Sequence, residues 1–500
     1  MKGTNSNVLI AGAGPVGLAM AADLARYGVS VRLIEKSPER TDKSKALVLW
    51  SRTLELMDRM DCTAPFLRTG KKVIAVNVTA GKEPITRVTV DGVKTPHPYA
   101  LMMPQCDTEQ LLGDLVTSLG VKIERNIELT DFVASAEGVT STLHHLDGTE
   151  ETFASGWLIG SDGAHSTVRH KLGMEFVGET MPSSWVIADV HLSDVPNPEE
   201  ILISWHTEGI LAVFPILGSR YRVIADSGLM QAGVAPADPT LKDVQSILDV
   251  RGPGGITVSD PIWLTRFTIN ERKVANYRSG RVFVMGDAAH IHSPAGGQGM
   301  NTGIQDAFNL AWKLALVSRG LGDEEILLGS YSAERSPIAD DVLKGAGRIT
   351  EVALMRGDFK QSIRNRITSF IFGLSPVKRK MADVLTEVSI GYPQSPLNAG
   401  CEYRGLGPKE GERAPVDVDH PCVGAGDTPR FGLYADGADG GGSALIAKYS
   451  DLLEPSLRVP FERDGLWLVR PDGYVALATR HSRWDEVEHY LGVLTQGTEI

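Results

Sequence analysis

The order of hydrophobic and polar positions near the start of the chain predicts a compact strand–helix–strand unit. The stretch NVLIAGAGPVGLAMAADLARYGVSVRLIEK opens with a short apolar strand at Val8 to Ala11. A glycine turn follows, then a helix rich in Ala and Leu that ends near Arg26, then a second strand that ends at Glu35. This order is typical of a βαβ unit whose helix begins directly after the glycines.

Three different patterns follow further along the chain. Between about residues 180 and 270, runs such as SSWVIADVHL, EILISWHT, GILAVFPIL and RYRVIAD are separated by short turns, which predicts an antiparallel sheet. Around residues 375–410 the chain becomes irregular and richer in Gly and Pro, which is typical of a linker. Beyond it, GLWLVRPDGYVALAT predicts a hairpin around Pro471-Asp472-Gly473, and a final helix is predicted from about Arg483.

Composition narrows the kind of protein. The net charge of −12 disfavours a nucleic-acid surface, which needs clustered Lys and Arg. No window approaches the roughly 18 uninterrupted apolar residues of a membrane span, and the first residues lack a signal-peptide pattern. The four cysteines, Cys62, Cys106, Cys401 and Cys422, form no CxxC pair, which argues against disulfides and cysteine-bound metal. We predict a cytoplasmic protein that binds small molecules and neither nucleic acid nor membrane.

The glycine turn carries the first functional signal. Gly12 permits the tight turn, Gly14 lets the backbone approach a pyrophosphate, and Gly17 lets helix and strand pack closely. Glu35 lies 23 positions after Gly12, where a carboxylate can accept hydrogen bonds from an adenosine ribose. The pattern serves NAD and FAD alike, and Lys36 does not decide between them.

Two further motifs follow in a fixed order. WLIGSDGAHSTVRHKLG places Asp162 after an apolar strand, and GRVFVMGDAAHIHSPAGGQGMN places Asp287 after another. In the second motif a loop rich in His, Pro and Gly leads to a helix that starts near Gly299. Together with GAGPVG, these motifs resemble the group A flavoprotein monooxygenases, the single-component aromatic hydroxylases, over about residues 5–340.

The resemblance implies bound FAD and assigns residues to it. Asp287 would contact the ribitol, and Asp162 belongs to a motif that serves both FAD and the nicotinamide cofactor. The helix N-terminus near Gly299 would stabilise the negative charge of reduced flavin. Glycines in the preceding loop would let the backbone approach the ring edge. The predicted cofactor residues are Gly12, Gly14, Pro15, Gly17, Glu35, Lys36, Lys45, Gln105, Asp162, Asp287, Pro294, Gly297, Gly299, Met300 and Asn301.

Two other segments also match the family. In SKALVLWSRTLELMDRMD, the family has an arginine before the alanine and a second arginine in RTLE, and both approach the flavin. Here the first position is Lys45, which keeps the charge but lacks the planar fork of Arg; the second is Arg52. In MMPQCDTEQLL, Gln105 would meet the cofactor. Alternatively, Gln105 is a surface residue at the start of a helix capped by Asp107 or Thr108.

In this family the antiparallel sheet roofs the flavin and holds the substrate. An aromatic residue in a strand can equally be plain core. The candidate substrate residues are Trp185, Trp205, Phe214, Tyr221 and His292.

A metal site is a further alternative, since His290 and His292 form an HxH pair. No further His or carboxylate cluster stands nearby at ligand spacing, so we predict no metal.

The fold implied is α/β. A Rossmann-like FAD-binding domain would cover residues 1–180 and 270–385, with a small insertion near 75–100. An antiparallel-sheet substrate domain would cover 181–269. Larger family members end in a thioredoxin-like domain with a run similar to VRPDGYVA, which we place at 395–500. Because it lacks CxxC, it would serve packing or association. A stop near residue 390 should leave flavin binding largely intact, with changes at most in solubility or oligomeric state; a homodimer is left open.

The activity implied is an NADPH- or NADH-consuming monooxygenase that inserts one oxygen atom of O₂ into a phenolic or polycyclic aromatic substrate through a C4a-hydroperoxyflavin. Because the cofactor supplies the chemistry, no acid–base residue is required and no catalytic residue is assigned. One alternative is Baeyer–Villiger or epoxidising chemistry on a ketone or alkene. Another is a flavin-bound protein without turnover.

Overall fold

The computed structural model describes residues 8–41, 44–229, 237–294, 296–353, 375–401, 403–417, 420–437 and 440–496. The strands in chain order are β1 (Val8–Ala11), β2 (Val31–Glu35), β3 (Val48–Leu49), β4 (Lys71–Val73), β5 (Ala75–Ala80), β6 (Glu83–Thr89), β7 (Ala100–Met102), β8 (Ile123–Arg125), β9 (Ile127–Ala134), β10 (Val139–His145), β11 (Glu150–Ser155), β12 (Trp157–Gly160), β13 (Val177–Ser193), β14 (Ile201–His206), β15 (Gly209–Pro215), β16 (Arg220–Leu229), β17 (Thr257–Lys273), β18 (Arg278–Ser279), β19 (Val282–Val284), β20 (His290–Ile291), β21 (Gly432–Tyr434), β22 (Gly465–Val469) and β23 (Val475–Arg480). The helices are α1 (Pro15–Arg26), α2 (Ser51–Asp58), α3 (Thr63–Thr69), α4 (Gln105–Ser118), α5 (Thr167–Lys171), α6 (Leu241–Arg251), α7 (Gly299–Ser318), α8 (Glu324–Ala353), α9 (Ser375–Leu385), α10 (Gly441–Lys448) and α11 (Trp484–Gln496).

A six-stranded sheet lies at the centre of the first unit, in the order β18-β19-β12-β1-β2-β8. β1 runs parallel to both of its neighbours, β2 and β12. All four residues of β1 are buried, as expected for a strand inside a parallel sheet. The carboxyl ends of β1, β2 and β12 therefore meet at one edge, where ligands bind in open sheets of this kind. The predicted βαβ unit is confirmed.

The second sheet has eight strands in the order β20-β17-β13-β16-β15-β14-β5-β6. Its strands pair antiparallel except for β14 with β5. The antiparallel sheet predicted for the middle of the chain is thus present. The segment expected as an insertion near 75–100 supplies β5 and β6, which extend this sheet at one end.

The two faces of the large sheet have different neighbours because side chains alternate along each strand. One face carries Trp185 and Trp205 in a core cluster that also contacts Phe214. The opposite face carries Tyr221, which packs in a separate cluster with Leu248 of α6. The register of β13, β15 and β16 therefore decides which side chains can reach the first unit.

Helix α7 runs through the middle of the molecule. One face of this helix, formed by Ile304, Phe308, Ala311 and Ala315, is buried. None of the helices in the described parts of the chain combines the length and the apolar character needed to cross a bilayer.

The C-terminal unit has a thioredoxin-like strand order. β22 pairs antiparallel with both β21 and β23. The segment around Leu453 and Arg458 pairs in parallel with β21 on its other side, after the crossover through α10. The predicted hairpin joins β22 to β23 through Gly473, which has φ +83°, and the predicted final helix begins at Trp484.

Buried charges join the C-terminal unit to the first unit. Glu334 of α8 accepts hydrogen bonds from Lys313 Nζ at 2.7 Å and from Arg470 Nη2 at 3.0 Å. Arg52 of α2 donates to the backbone oxygen of Asp472 at 2.7 Å. The C-terminal unit therefore supplies an opposite charge to Glu334 and a hydrogen-bond acceptor to Arg52.

Apolar packing is also continuous across this junction. Phe431 of the C-terminal unit meets Trp312 of α7 edge-on, with ring centroids 5.6 Å apart. Both belong to the same hydrophobic cluster as β1. A stop near residue 390 would open this core and remove Arg470 from Glu334, so we expect such a truncation to destabilise the fold.

Candidate active site

A cavity of about 550 Å³ opens at the carboxyl edge of the parallel sheet and extends toward the large sheet. A smaller cavity of about 220 Å³ adjoins it, and the two share Gly14, Lys36 and Asp162 in their walls. The predicted cofactor residues that line the larger cavity are Gly14, Pro15, Lys36, Lys45, Gln105, Asp162, Asp287, Pro294, Gly297, Gly299 and Met300. We call this set the cofactor wall. Gly12 and Glu35 line the smaller cavity.

Three glycines of the first turn differ in what surrounds them. A Cβ at Gly12, where φ is +105°, would lie 2.4 Å from the backbone oxygen of Ser161. A Cβ at Gly17 would lie 1.9 Å from the oxygen of Gly12, so both positions are required by the packing of the chain itself. A Cβ at Gly14 would meet no protein atom within 4 Å. The space at Gly14 belongs to the cavity and suits a pyrophosphate at the N-terminus of α1.

The adenosine end is marked by Glu35, the last residue of β2. Its carboxylate accepts from the backbone N–H of Ala13 and of Ser37, each at 2.9 Å. These bonds fix the side chain and leave acceptor capacity for a ribose hydroxyl, because a carboxylate offers about four lone-pair sites.

Two aspartates stand at the other strand ends. Burial raises the pKa of Asp162, although hydrogen bonds from Ser166 and from the Val168 backbone oppose the shift. Within the described residues, Asp162 Oδ1 is buried without a hydrogen-bond partner, which suits a ligand donor at that point. Asp287 is open to the cavity, but protein atoms enclose it on its other sides. This burial raises the pKa of the Asp287 carboxyl, and His290 and Lys45 oppose the shift.

A buried network holds the segment around Asp287. Asp306 of α7 accepts from His290 Nε2 at 2.7 Å and from the Gly286 backbone N–H at 3.1 Å. Arg335 of α8 donates to the other Asp306 oxygen at 2.7 Å. Burial alone would raise the pKa of Asp306, but Arg335 and His290 hold it below its ordinary value. The network fixes the turn that presents Asp287.

The two histidines of the HxH pair have separate surroundings. His290 faces Asp306, whereas His292 lines the cavity, and their rings stack in parallel with centroids 6.4 Å apart. Across the described ranges, no three His, Cys, Asp or Glu side chains are arranged to hold a metal ion.

His292 is an uncharged acceptor near neutral pH. Burial lowers its pKa to about 4, with a smaller opposing effect from Ser293. Its Nδ1 lies 3.0 Å from the Ser293 carbonyl, which can only accept, so the proton sits on Nδ1. Its Nε2 has no partner among the described residues.

The loop before α7 is shaped by glycine and by one asparagine. Gly297 has φ +64°, and a Cβ there would lie 3.1 Å from Val48. Asn301 does not line the cavity. Its side chain accepts from the Trp50 N–H and donates to the Val48 oxygen, both at 2.9 Å. Asn301 thus holds β3 against the loop. Gly299 and Met300 begin α7 with no side-chain cap, so its free N–H groups face this end of the cavity.

Gln105 and Arg52 both belong to segments that the resemblance places near the cofactor, but only Gln105 lines the cavity. Gln105 lines the cavity and begins α4, with Oε1 accepting from the Ala46 N–H at 3.1 Å. Neither Asp107 nor Thr108 caps that helix, whose N-cap is Pro104. Arg52 does not approach the cavity, because Glu55 and the Asp472 backbone hold it at the C-terminal unit.

The large sheet contributes a second set of lining residues, Phe214, Arg222 and Ile224, which we call the sheet wall. Of the five predicted substrate residues, Phe214 and His292 line the cavity. Trp185 and Trp205 share the face of Phe214 but lie within its core cluster. Tyr221 lies on the opposite face, because it is one residue out of phase with Arg222.

The hydrophobic pattern of the chain did not identify Arg222 and Ile224 as residues that line the cavity. Both belong to the run RYRVIAD, whose arginine stands inside an apolar strand. A charged residue inside an apolar strand is rare unless it is paired, so this arginine could have been recognised as a residue with a buried partner.

Comparison with known proteins agrees with this geometry. The chain matches the family described as "FAD binding domain" over residues 5–346. It is 35% identical to 6-methylpretetramide 4-monooxygenase of Streptomyces rimosus, over 95% of this chain and 91% of that protein. It is 33% identical to rifampicin monooxygenase of Streptomyces venezuelae, over 94% of this chain and 95% of that protein. This chain belongs to the group A flavoprotein monooxygenases.

The solved structures show the same relationship. The OxyS anhydrotetracycline hydroxylase from Streptomyces rimosus superposes with a TM-score of 0.79 at 30% identity, covering 99% of both chains. The predicted family and fold class are confirmed. The chain is an FAD-dependent monooxygenase, and the relatives named above are monooxygenases or hydroxylases.

Proposed function

We propose that this monooxygenase inserts one oxygen atom of O₂ into an aromatic ring at the expense of NADPH or NADH. The observation that supports this proposal is one continuous space with two different ends. Glu35 and the turn at Gly14 suit an adenosine diphosphate, and the N-terminus of α7 suits a negatively charged ring system. Beyond them lies the sheet wall, where an aromatic compound can pack.

The residues present fit FAD. The space at Gly14 provides a groove. Asp162 Oδ1, which has no partner among the described residues, provides a buried acceptor, and the Asp287 carboxylate provides a polar contact. Lys36 and Lys45 add positive charge for the pyrophosphate. Bound FAD would supply the redox chemistry, and the reaction route implied by the family resemblance remains part of this proposal.

The chain's own residues bind, orient and exclude water. Phe214 and Ile224 give an aromatic ring an apolar surface, and Met300 and Pro294 bound the same cavity near α7. His292, held uncharged by its low pKa of about 4, offers an acceptor lone pair without adding charge to the site. Preorganised groups of this kind align reactants without a titrating catalytic residue.

The remaining assignments are also proposals. The substrate would be a phenolic or polycyclic aromatic compound, and the protein would work in the cytoplasm, alone or as a homodimer. Baeyer–Villiger or epoxidising chemistry, and a flavin-bound protein without turnover, are the alternatives that the experiment separates.

The test is purification followed by turnover assays. We expect a yellow protein whose NAD(P)H oxidation and O₂ uptake rise when phenols or polycyclic aromatics are added, with a product heavier by one oxygen atom. Ketones or alkenes that stimulate instead would favour the first alternative. Yellow protein with no stimulation by any of these compounds would favour the second.

A further inference from the structure

Arg222 brings a guanidinium group to a wall whose other members are apolar. In β16, Arg222 and Ile224 are two residues apart and share a face, and Phe214 of β15 pairs directly with Arg222. All three line the larger cavity, together with Leu47 and Val48. A ring that packs on Phe214 and Ile224 would therefore have Arg222 within reach of its edge.

The charge of Arg222 is already compensated. Its Nε and Nη2 donate to the two carboxylate oxygens of Asp189, each at 2.7 Å. Asp189 is its direct neighbour in register on β13, and the pair is buried. This two-point geometry is the strong form of a carboxylate–guanidinium pair, so the site presents a donor with little net charge.

Hydrogen-bond donors remain. A guanidinium has five N–H groups. Two serve Asp189 and a third, on Nη1, donates to the Lys45 backbone oxygen at 2.9 Å. No other acceptor among the described residues is bonded to the remaining two. A buried donor without a partner is costly, so a ligand oxygen at this point would be favoured.

We propose, on the basis of the aromatic monooxygenase function above, that Arg222 donates to an uncharged oxygen of the substrate and that Asp189 makes the site reject carboxylates. The oxygen is a phenolic hydroxyl or an aryl carbonyl on a fused ring. Such an oxygen needs a hydrogen-bond donor from the protein but no compensating positive charge. A carboxylate would lose its hydration against the apolar sheet wall and would meet a guanidinium whose charge Asp189 has already cancelled.

The other cations of the cavity do not replace Arg222 in this role. The ammonium of Lys45 lies near enough to Asp287 to lower the pKa of that carboxyl against the effect of burial. Lys36 is shared with the smaller cavity, at the end marked by Glu35. Both charges therefore serve the cofactor wall.

The test compares two probes of similar shape, 2-naphthol and 2-naphthoate, titrated at pH 7 into the yellow holoenzyme. Binding is followed by the flavin absorbance change and by calorimetry. We expect 2-naphthol to bind about 10-fold or more tightly than 2-naphthoate, since the hydration that a carboxylate loses beside an already neutralised guanidinium is worth at least that factor. Asp189→Asn, which frees the guanidinium charge, should improve 2-naphthoate binding about 10-fold.

The matched control is Asp260→Asn. Asp260 is an exposed residue of β17, outside the cavity. It pairs at 3.1 Å with Arg220, which lies on the same strand as Arg222. This variant should leave the ratio of the two affinities unchanged.

A second variant guards against misfolding of Asp189→Asn. The double change Asp189→Asn with Arg222→Gln removes both charges together and leaves no unpaired ion. It should bind 2-naphthol about 10-fold more weakly and naphthalene, which has no oxygen, as before. Unchanged 2-naphthol binding would overturn the proposal, as would equal wild-type affinities or no binding of either probe. Wild-type protein that holds no flavin would instead contradict the proposed function.

Discussion

The cofactor wall and the sheet wall line the same cavity, yet their residues are placed by different physical requirements. The cofactor wall consists of turns and helix starts that follow buried strands, such as Gly14 after β1 and Asp287 after β19. The sheet wall consists of side chains in the middle of strands, such as Arg222 and Phe214. One wall depends on local backbone geometry, and the other depends on which strands become neighbours.

This difference explains which residues could be recognised in advance. A backbone that must approach a ligand needs glycine at a fixed spacing, and that spacing is visible in the sequence. A strand residue faces the cavity only through its register with distant strands. The partner of Arg222, Asp189, is 33 positions away along the chain.

The largest effect is expected from a stop after residue 390. If the cofactor wall were self-contained, such a chain would still bind FAD. We expect it to aggregate or to remain unfolded, because Glu334 loses Arg470 and Arg335 loses the Tyr392 hydroxyl, which it contacts at 3.0 Å. Size-exclusion chromatography and flavin content measure this. A stop after residue 496 is the control, and a yellow, monodisperse 390-residue protein would contradict the expectation.

Gly14→Ala, in the cofactor wall, and Gly17→Ala, in the adjoining first turn of α1, should separate binding from folding. A methyl group at Gly17 meets the Gly12 oxygen, so we expect a loss of about 3 kcal/mol in unfolding free energy. A methyl group at Gly14 meets only the cavity, so the apoprotein should melt as the wild type does and FAD should bind more weakly. Thermal melts of apoprotein and FAD titrations test this. Equal melting temperatures for the two variants would be inconsistent with the glycine geometry.

Exchanging one residue of each wall should give opposite phenotypes. Asp287→Ala removes a polar contact and should weaken FAD binding by about 1 to 3 kcal/mol. Phe214→Ala should retain FAD and weaken binding of an aromatic probe such as 2-naphthol. Fluorescence titration of apoprotein with FAD and absorbance titration of holoenzyme measure the two. Loss of FAD from Phe214→Ala, with Asp287→Ala fully loaded, would reverse the assignment of the walls.

The smallest effect is a pH dependence from His292. Its folded pKa of about 4 lies below the ordinary value, so the unfolded chain binds the extra proton first as the pH falls. Stability from this group is complete above about pH 6.5 and declines toward pH 4, by on the order of 2 kcal/mol after allowance for its partial exposure. Denaturant unfolding from pH 7 to pH 4 should show a shallower decline in His292→Asn. The exposed His144→Asn is the control and should retain the wild-type slope.

The sequence was sufficient to predict the strands and helices, and the glycine turns at the cofactor, wherever these depend on residues close together along the chain. Gly12 and Gly17 were identified from spacing, and the structure shows both in close backbone contact. Asn301 and Arg52 were placed at the flavin because they sit inside family segments. Their side chains bond to backbone groups brought near by the tertiary fold, and those bonds could not be predicted from the segments alone. The position of Tyr221 on the face opposite Phe214 could not be predicted, because the phase of a strand relative to its sheet cannot be obtained from an apolar run alone.

The charges buried between the first unit and the C-terminal unit limit how the enzyme can be shortened by engineering. Deleting the C-terminal residues would leave Lys313, Glu334 and Arg52 facing solvent or one another in sites shaped for partners. A minimised version would need these three positions rebuilt as well-packed apolar residues of similar volume, a replacement that proteins often tolerate when the whole ionic group is exchanged at once. Chain length in this protein is therefore coupled to core composition, and neither can be redesigned alone.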